Sequence, residues 1–128
     1  MKGLLDTHIF LWWITDDSRL SGRAREFISD GKNELLFSAA SGWEISIKAH
    51  LGKIELSEHP ERFLTEQLHQ NAVGVLPVNM NHALGVYGLP DHHRDPFDRL
   101  LVAQCRAEEL PLISADRAFE RYPVEVIW

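Results

Sequence analysis

Short apolar segments alternate with amphipathic segments along the chain. The apolar segments that have the length and composition of β-strands cover residues 2–5, 34–37, 73–78, 112–114 and 124–128. Apolar residues recur at helical spacing between them, over residues 7–14, 21–30, 39–51, 60–71, 79–88 and 96–110, with a short helical turn at 116–121. This alternation predicts an α/β domain in which helices flank a mostly parallel sheet.

Several predicted helices carry clear start and stop signals. Ser38 stands at an N-cap position, and Gly31 and Gly52 follow the last residues of two helices. The strongest signal is Asp95 followed by Pro96. Asp is favoured at the N-cap, and the N–H that Pro lacks would be unused at the first helical position. We therefore expect Asp95 to cap a helix that begins at Pro96.

An acidic residue lies on the apolar face of that helix. Asp98 is three and four positions before Leu101 and Val102, and Cys105 continues the same face. A carboxylate among buried apolar side chains is unfavourable unless a cation meets it. Asp98 is therefore expected to bind a metal ion or, as the structural alternative, to pair with a basic neighbour such as Arg99.

Glu44 interrupts a second helix in the same way. It lies four positions after Ala40 and three before Ile47, and the pattern predicts that both of these residues and Leu51 face the core. Pairing with Lys48 is the structural alternative for this acid.

Two further acids follow predicted strands. Asp6 comes directly after the strand at 2–5, and Asp116 comes shortly after the strand at 112–114. Each could simply cap the helical segment that follows it. In open parallel sheets, however, sites form beyond the carboxyl ends of the strands. We therefore expect Asp6, Glu44, Asp98 and Asp116 to converge at one edge of the sheet.

A cluster of carboxylates predicts a particular metal chemistry. Mg²⁺ and Mn²⁺ are hard cations that prefer carboxylate oxygens, and such an ion can activate water and stabilise a leaving oxygen on a phosphodiester. Zinc is disfavoured, because His92 and His93 have no Cys or third His at a ligand-like spacing. Ser41 and Cys105 lack the surroundings of a nucleophile.

Composition sets broader limits. The chain has 128 residues, enough for a single domain over 1–128, and 45% of them are hydrophobic. Its formal net charge of −6 means that no overall basic footprint for nucleic acid is present. The longest apolar run is too short to span a membrane, and the first residues do not resemble a signal peptide. One cysteine suggests a reducing compartment, so we expect a cytoplasmic protein.

Other residues near the acids suggest binding. Arg94 and Arg99 flank the proposed site in sequence and could bind substrate phosphates as forked donors. Trp12 and Trp13 cannot both face the core from one helix, so one of them is expected at the surface as a contact anchor.

Four segments of the chain resemble the PIN-domain ribonucleases, specifically the VapC-type toxins of bacterial toxin–antitoxin pairs. They are LLDTHIFLWW, SAASGWEISIKAHLGKI, RDPFDRLLVAQCRAEELPLISAD and AFERYPVEVIW, in the expected order from end to end. The resemblance implies a three-layer α/β/α sandwich and assigns the family acids to Asp6, Glu44, Asp98 and Asp116. It makes Asp6 and Asp98 the main metal ligands, with Asp116 and Glu44 completing the cluster directly or through water. Asp95 and Ser114 would assist from the second shell; Ser114 stands where the family often has Thr.

The resemblance also implies partners and a substrate. It implies homodimers, inhibition by a small VapB-like antitoxin in a hetero-oligomer, contact with DNA only through that antitoxin, and no membrane. The substrate would be RNA, cut endonucleolytically with Mg²⁺ or Mn²⁺.

Two other functional classes compete with this interpretation. In the first, a non-catalytic PIN-like module uses its acidic pocket only to dock a basic protein partner, which the acidic net charge and an exposed Trp would favour. The second is a phospho-acceptor receiver domain. It is disfavoured because Asp6 has no paired acid after the first strand and no Asp follows the third strand.

Overall fold

Five parallel strands form the central sheet of the protein, in a computed structural model that describes residues 1–92 and 95–128. In chain order the strands are β1 Lys2–Leu5, β2 Glu34–Ser38, β3 Val73–Leu76, β4 Leu112–Ile113 and β5 Val126–Ile127. They lie in the order β3-β2-β1-β4-β5, and every neighbouring pair is parallel. The predicted parallel α/β architecture is confirmed.

Helices connect the strands. The α-helices in the described ranges are α1 Thr7–Ile14, α2 Gly22–Ser29, α3 Ala39–His50, α4 Pro60–Gln70, α5 Met80–Gly85 and α6 Pro96–Glu108. Shorter 3-10 helices cover Val86–Gly88 and Arg117–Arg121, so the helix predicted over 79–88 divides into two parts. Strand β3 ends before its predicted end because Pro77 lacks the N–H that would continue the ladder. No helix in the ranges described is long and apolar enough to cross a membrane.

The two faces of the sheet bury separate apolar clusters. Consecutive residues of β1 point to opposite faces, so Leu5 belongs to one cluster and Leu4 to the other. On the first face α1 and α2 contribute Ile9, Phe10 and Phe27, while α6 covers the second face with residues that include Leu101, Val102 and Cys105. Helices on both faces make the three layers that the resemblance implies.

Strand order places a switch point at β1. The chain leaves β1 toward β2 and β3 on one side, whereas β4 lies on the other side of β1. Ligand sites in open α/β sheets form outside the carboxyl ends of the strands at such a point. Asp6 and Ser114 are the first residues after β1 and β4, so both lie there.

Two predictions about apolar side chains are wrong. Trp43, Ile47 and Leu51 form a stripe along α3 whose side chains are 63%, 37% and 60% exposed, so Ile47 and Leu51 do not face the core. The buried face of α3 lies to one side of the predicted one and consists of Ala40, Ser41, Glu44 and Ile45, with Ile45 in the apolar cluster of the first sheet face. Trp12 and Trp13 are both partly buried, so the exposed tryptophan is Trp43.

The packing of the sheet against α2 can be tested at Gly3, which lies in the middle of β1. A Cβ at this position would lie 2.6 Å from Ile113 Cδ1 and 2.8 Å from the Phe27 ring. We expect Gly3→Ala to lower the free energy of unfolding by about 1–3 kcal/mol through overpacking, measured by urea denaturation. Gly22→Ala is the matched control, because nothing lies within 4 Å of its Cβ position. Equal stabilities of the two variants would contradict this packing.

Candidate functional site

Asp6 begins the site at the carboxyl end of the central strand. It is the N-cap of α1, and its Oδ1 accepts a hydrogen bond of 2.8 Å from the Thr7 backbone N–H. Its Oδ2 accepts a bond of 2.7 Å from the Ser114 hydroxyl, which lies after the neighbouring strand β4. Asp6 is only 7% exposed, so this carboxylate is buried and oriented by both bonds.

Ser114 links Asp6 to Asp116. While its hydroxyl donates to Asp6, its oxygen accepts a bond of 3.1 Å from the Asp116 backbone N–H. Asp116 is exposed, and its Oδ1 caps the following 3-10 helix by accepting from the Ala118 N–H at 2.9 Å. Both acids therefore have the capping function considered from the sequence, and both also lie at the switch point.

Glu44 enters the site from α3 as a buried carboxylate that is 5% exposed. Its Oε1 accepts a hydrogen bond of 2.8 Å from the Thr7 hydroxyl, and its Oε2 accepts one of 2.7 Å from the Lys48 ammonium. The buried Ser41 hydroxyl lies 2.8 Å from that of Thr7. Polar partners, rather than an apolar stripe, therefore surround this acid.

Asp98 lies in the first turn of α6. Asp95 is the N-cap of this helix and accepts from the backbone N–H groups of Phe97 at 2.8 Å and Asp98 at 3.3 Å, as the Asp95–Pro96 pair predicts. The Asp98 carboxyl is partly buried on the side that continues into buried Leu101 and Val102.

The electrostatic surroundings of Asp98 identify the other members of the cluster. Burial and, in decreasing order, the negative charges of Asp6, Asp95, Glu44 and Asp116 together raise its pKa from 3.8 to about 7. The pKa of Asp6 is also raised, mainly by burial and against the effect of its hydrogen bonds. The four predicted acids therefore lie close enough to repel one another, as expected of carboxylates without a cation.

The carboxylate oxygens are chemically suited to a hard divalent cation, but the side chains are not spaced to hold one. Carboxylate oxygens suit Mg²⁺ and Mn²⁺. Yet among residues 1–92 and 95–128 no three His, Cys, Asp or Glu side chains stand close enough together to hold a metal ion. To bind a metal ion, the carboxylates would have to move closer together. Glu44 would also have to offer the ion an oxygen that Thr7 or Lys48 already contacts.

The predicted arginines have different outcomes. Arg94 lies outside the described residues. The Arg99 guanidinium donates to the backbone carbonyls of Pro90 at 2.8 Å, Val86 at 3.2 Å and Leu89 at 3.4 Å. Arg99 therefore holds the preceding loop to α6, and its contact with a substrate phosphate stays a prediction.

Thr7 was not among the site residues predicted from the sequence. It donates its backbone N–H to Asp6 and its hydroxyl to Glu44, so one residue orients two of the four acids. Its position directly after Asp6 was the available signal. Its contact with Glu44 joins residues 37 positions apart, which no local pattern reveals.

Comparisons with known proteins agree with this architecture. The model of the PIN domain family matches residues 3–125. Ribonuclease VapC22 of Mycobacterium tuberculosis is 32% identical over 131 residues, which cover 98% of this chain and 97% of that protein. Two solved structures share the fold at lower identity. VapBC2 from Rickettsia felis, bound to a DNA fragment from their promoter, has 15% identity and a TM-score of 0.70 over 98% of this chain and 97% of that one. DNA-bound VapBC from Salmonella typhimurium has 20% identity and a TM-score of 0.67 over 98% and 96%.

Fold and site together define an α/β sandwich with an acidic cluster at the switch point of a five-stranded parallel sheet. With the family match over nearly the whole chain, the protein belongs to the PIN domain family.

The raised pKa of Asp98 predicts a particular pH dependence of stability in metal-free protein. The unfolded chain releases this proton near pH 4 and the folded chain near pH 7, so the folded state binds more protons between these values. This contribution to the free energy of unfolding therefore falls as pH rises from about 4 to about 7. We expect Asp98→Asn to unfold at a higher temperature than the parent near pH 8, and to lose much of this advantage near pH 5.

Thermal unfolding in EDTA measures this effect. Glu55→Gln is the matched control, because it removes an acid from an exposed position. An Asp98→Asn variant that is less stable than the parent near pH 8 would contradict the repulsion inferred for the cluster.

Proposed function

We propose that this protein is a Mg²⁺- or Mn²⁺-dependent endoribonuclease and the toxin of a VapBC-type toxin–antitoxin pair. The observation that carries the proposal is the convergence of Asp6, Glu44, Asp98 and Asp116, where burial and the neighbouring negative charges together raise the pKa of Asp98 to about 7. The similarity to ribonuclease VapC22 over 98% of the chain supports RNA as the substrate.

The residues of the proposed site have different functions. Asp6 and Asp98 would be the main metal ligands, with Asp116 and Glu44 completing the set directly or through water. When bound, the ion would supply a water of lowered pKa and stabilise the leaving oxygen of the phosphodiester. Ser114 and Thr7 would keep the carboxylates of Asp6 and Glu44 oriented through the hydrogen bonds described above.

Asp95 would act through the helix rather than on the substrate. By accepting from the Asp98 backbone N–H it fixes the first turn of α6, and its negative charge helps to keep the pKa of Asp98 high. This is the second-shell contribution that the resemblance implied.

A basic antitoxin segment suits the same cluster. An arginine guanidinium matches carboxylates as a forked, permanently charged donor, so a partner with such a residue would be attracted to this edge of the sheet. Solved complexes of VapB and VapC proteins share the fold, which supports an antitoxin as partner in a hetero-oligomer. The alternative function, an acidic module that only docks this partner, is favoured by the absence of a preformed three-ligand group in the described part of the chain.

RNA cleavage separates the two functions. Purified parent should cut RNA with Mg²⁺ or Mn²⁺, and EDTA should abolish the cleavage. We expect Asp98→Asn to lower the rate by more than about a hundredfold, beyond the ten- to hundredfold effect typical of residues that only orient ligands. Glu55→Gln serves again as the control and should cut like the parent. Binding of a basic partner without turnover in either metal would support the docking module instead.

A homodimer is proposed from a second apolar stripe. Met80, Leu84 and Tyr87 follow one another at helical spacing along α5 and the 3-10 helix after it, and they are 72%, 67% and 97% exposed. Monomers rarely leave large contiguous apolar patches exposed, and one such patch can face its own copy across a two-fold axis.

Light scattering after gel filtration tests this interface. We expect the parent to be a dimer and Leu84→Glu to be a monomer, because the new charge would be buried against its own copy. Leu51→Glu is the matched control from the α3 stripe, with a side chain that is 60% exposed. If Leu51→Glu dissociates the dimer and Leu84→Glu does not, the interface lies on α3.

A further inference from the structure

Among the contacts described for residues 1–92 and 95–128, that of Lys48 is the shortest between a basic side chain and the acidic site. Lys48 lies one helical turn after Glu44 on α3, and its Nζ is 2.7 Å from Glu44 Oε2. Its side chain is 32% exposed whereas that of Glu44 is 6% exposed. The ammonium therefore lies at the border between the buried carboxylate and solvent.

The charge of Lys48 acts on more than one acid. Its pKa is raised, first by the hydrogen bond to Glu44 and then by the negative charges of Glu44, Asp95 and Asp98. The ammonium thus faces acids of both α3 and α6, which are the acids that a divalent cation would also attract.

Glu44 has both carboxylate oxygens in use. The Thr7 hydroxyl donates to one and the Lys48 ammonium to the other, while Asp98 has no ammonium or guanidinium within salt-bridge distance among the described residues. A carboxylate that already holds a cation at 2.7 Å is a poorer ligand for a second one, because the two cations repel each other. The contact with Lys48 therefore weakens Glu44 as a direct ligand for a divalent ion.

We propose that Lys48 is a resident cation of the site that competes with the divalent metal ion for Glu44. Lys48 compensates the buried Glu44 charge in the metal-free protein and keeps this acid out of direct coordination. In the loaded site it would restrict Glu44 to contact through water. The inference rests on the proposed function, because it presumes that the four acids bind a metal.

Calorimetric titration with Mn²⁺ alone tests the competition without an activity measurement. Lys48→Met removes one positive charge and frees one oxygen of Glu44, so we expect Mn²⁺ to bind about tenfold more tightly, the size expected for a unit charge several ångströms away in a partly hydrated site. Lys48→Arg keeps the cation and should bind Mn²⁺ no more tightly than the parent. Lys53→Met is the matched control, because this lysine is exposed just beyond the same helix.

A double-mutant cycle assigns the effect to Glu44. In a Glu44→Gln background the amide no longer attracts the ammonium strongly, so most of the gain from Lys48→Met should disappear. An equal gain in both backgrounds would show that Lys48 acts only through its field, and it would overturn the competition. Unchanged or weaker Mn²⁺ binding by folded Lys48→Met would also overturn it.

A second measurement uses the parent protein, in case Lys48→Met does not fold. The NMR signal of the Lys48 side chain, assigned by its loss in Lys48→Arg, should shift when Mg²⁺ saturates the site, because a second cation one water molecule away from Glu44 weakens the contact between Lys48 Nζ and Glu44 Oε2. An unshifted signal at saturation would overturn the proposal. If the parent itself binds neither Mn²⁺ nor Mg²⁺, the proposed function fails, whereas a parent that binds metal without these effects contradicts the role of Lys48 alone.

Discussion

Mutual repulsion among buried carboxylates is the constraint on which this structure depends. A carboxylate that is removed from water requires hydrogen-bond donors or a cation to compensate its charge. Each further negative charge nearby increases this requirement. Asp6 meets it with the Thr7 N–H and the Ser114 hydroxyl, and Glu44 meets it with the Thr7 hydroxyl and Lys48. Burial and the negative charges of its neighbours together raise the pKa of Asp98 to about 7. The pKa of Asp6 is raised as well, mainly by burial, so both acids are unfavourably charged in the absence of a cation.

The surrounding fold holds these charges in place. Strand β1 lies in the centre of the sheet and sends Leu4 and Leu5 into opposite apolar clusters, so the residue that follows it has little freedom to move. Ser114 follows the adjacent strand β4, and its bond to Asp6 joins residues 108 positions apart. Packing on both faces of the sheet thus supplies the stability that the acidic edge does not, as is common where an active site is strained or repulsive.

Local signals made much of this predictable from the sequence. The locally determined features are the strand at 2–5, the helix cap at Asp95 and the position of Asp98 on the same helix face as Leu101. Each depends on neighbours within a few positions. The features that local patterns do not reveal depend on distant partners. Arg99 donates to the carbonyls of a preceding loop, and the buried face of α3 depends on the contact of Ile45 with the core as well as on that of Glu44 with Thr7. Glu44 and Lys48 have the i, i+4 spacing of a helical salt bridge, so the sequence suggests their pairing as an alternative. The spacing does not reveal that the carboxylate of this pair is buried.

The proposed division of roles among the four acids follows from their partners. An acid that is already neutralised gains least from a metal ion, and an acid that is repelled by its neighbours gains most. Glu44 is paired with an ammonium, and Asp116 is exposed to solvent with one oxygen capping a 3-10 helix. The pKa values of Asp6 and Asp98 are raised, first of all by burial, so a cation would relieve unfavourable energy at both of these acids. The same argument applies to a basic side chain from a partner protein, because relief of repulsion depends on the positive charge and not on which molecule carries it.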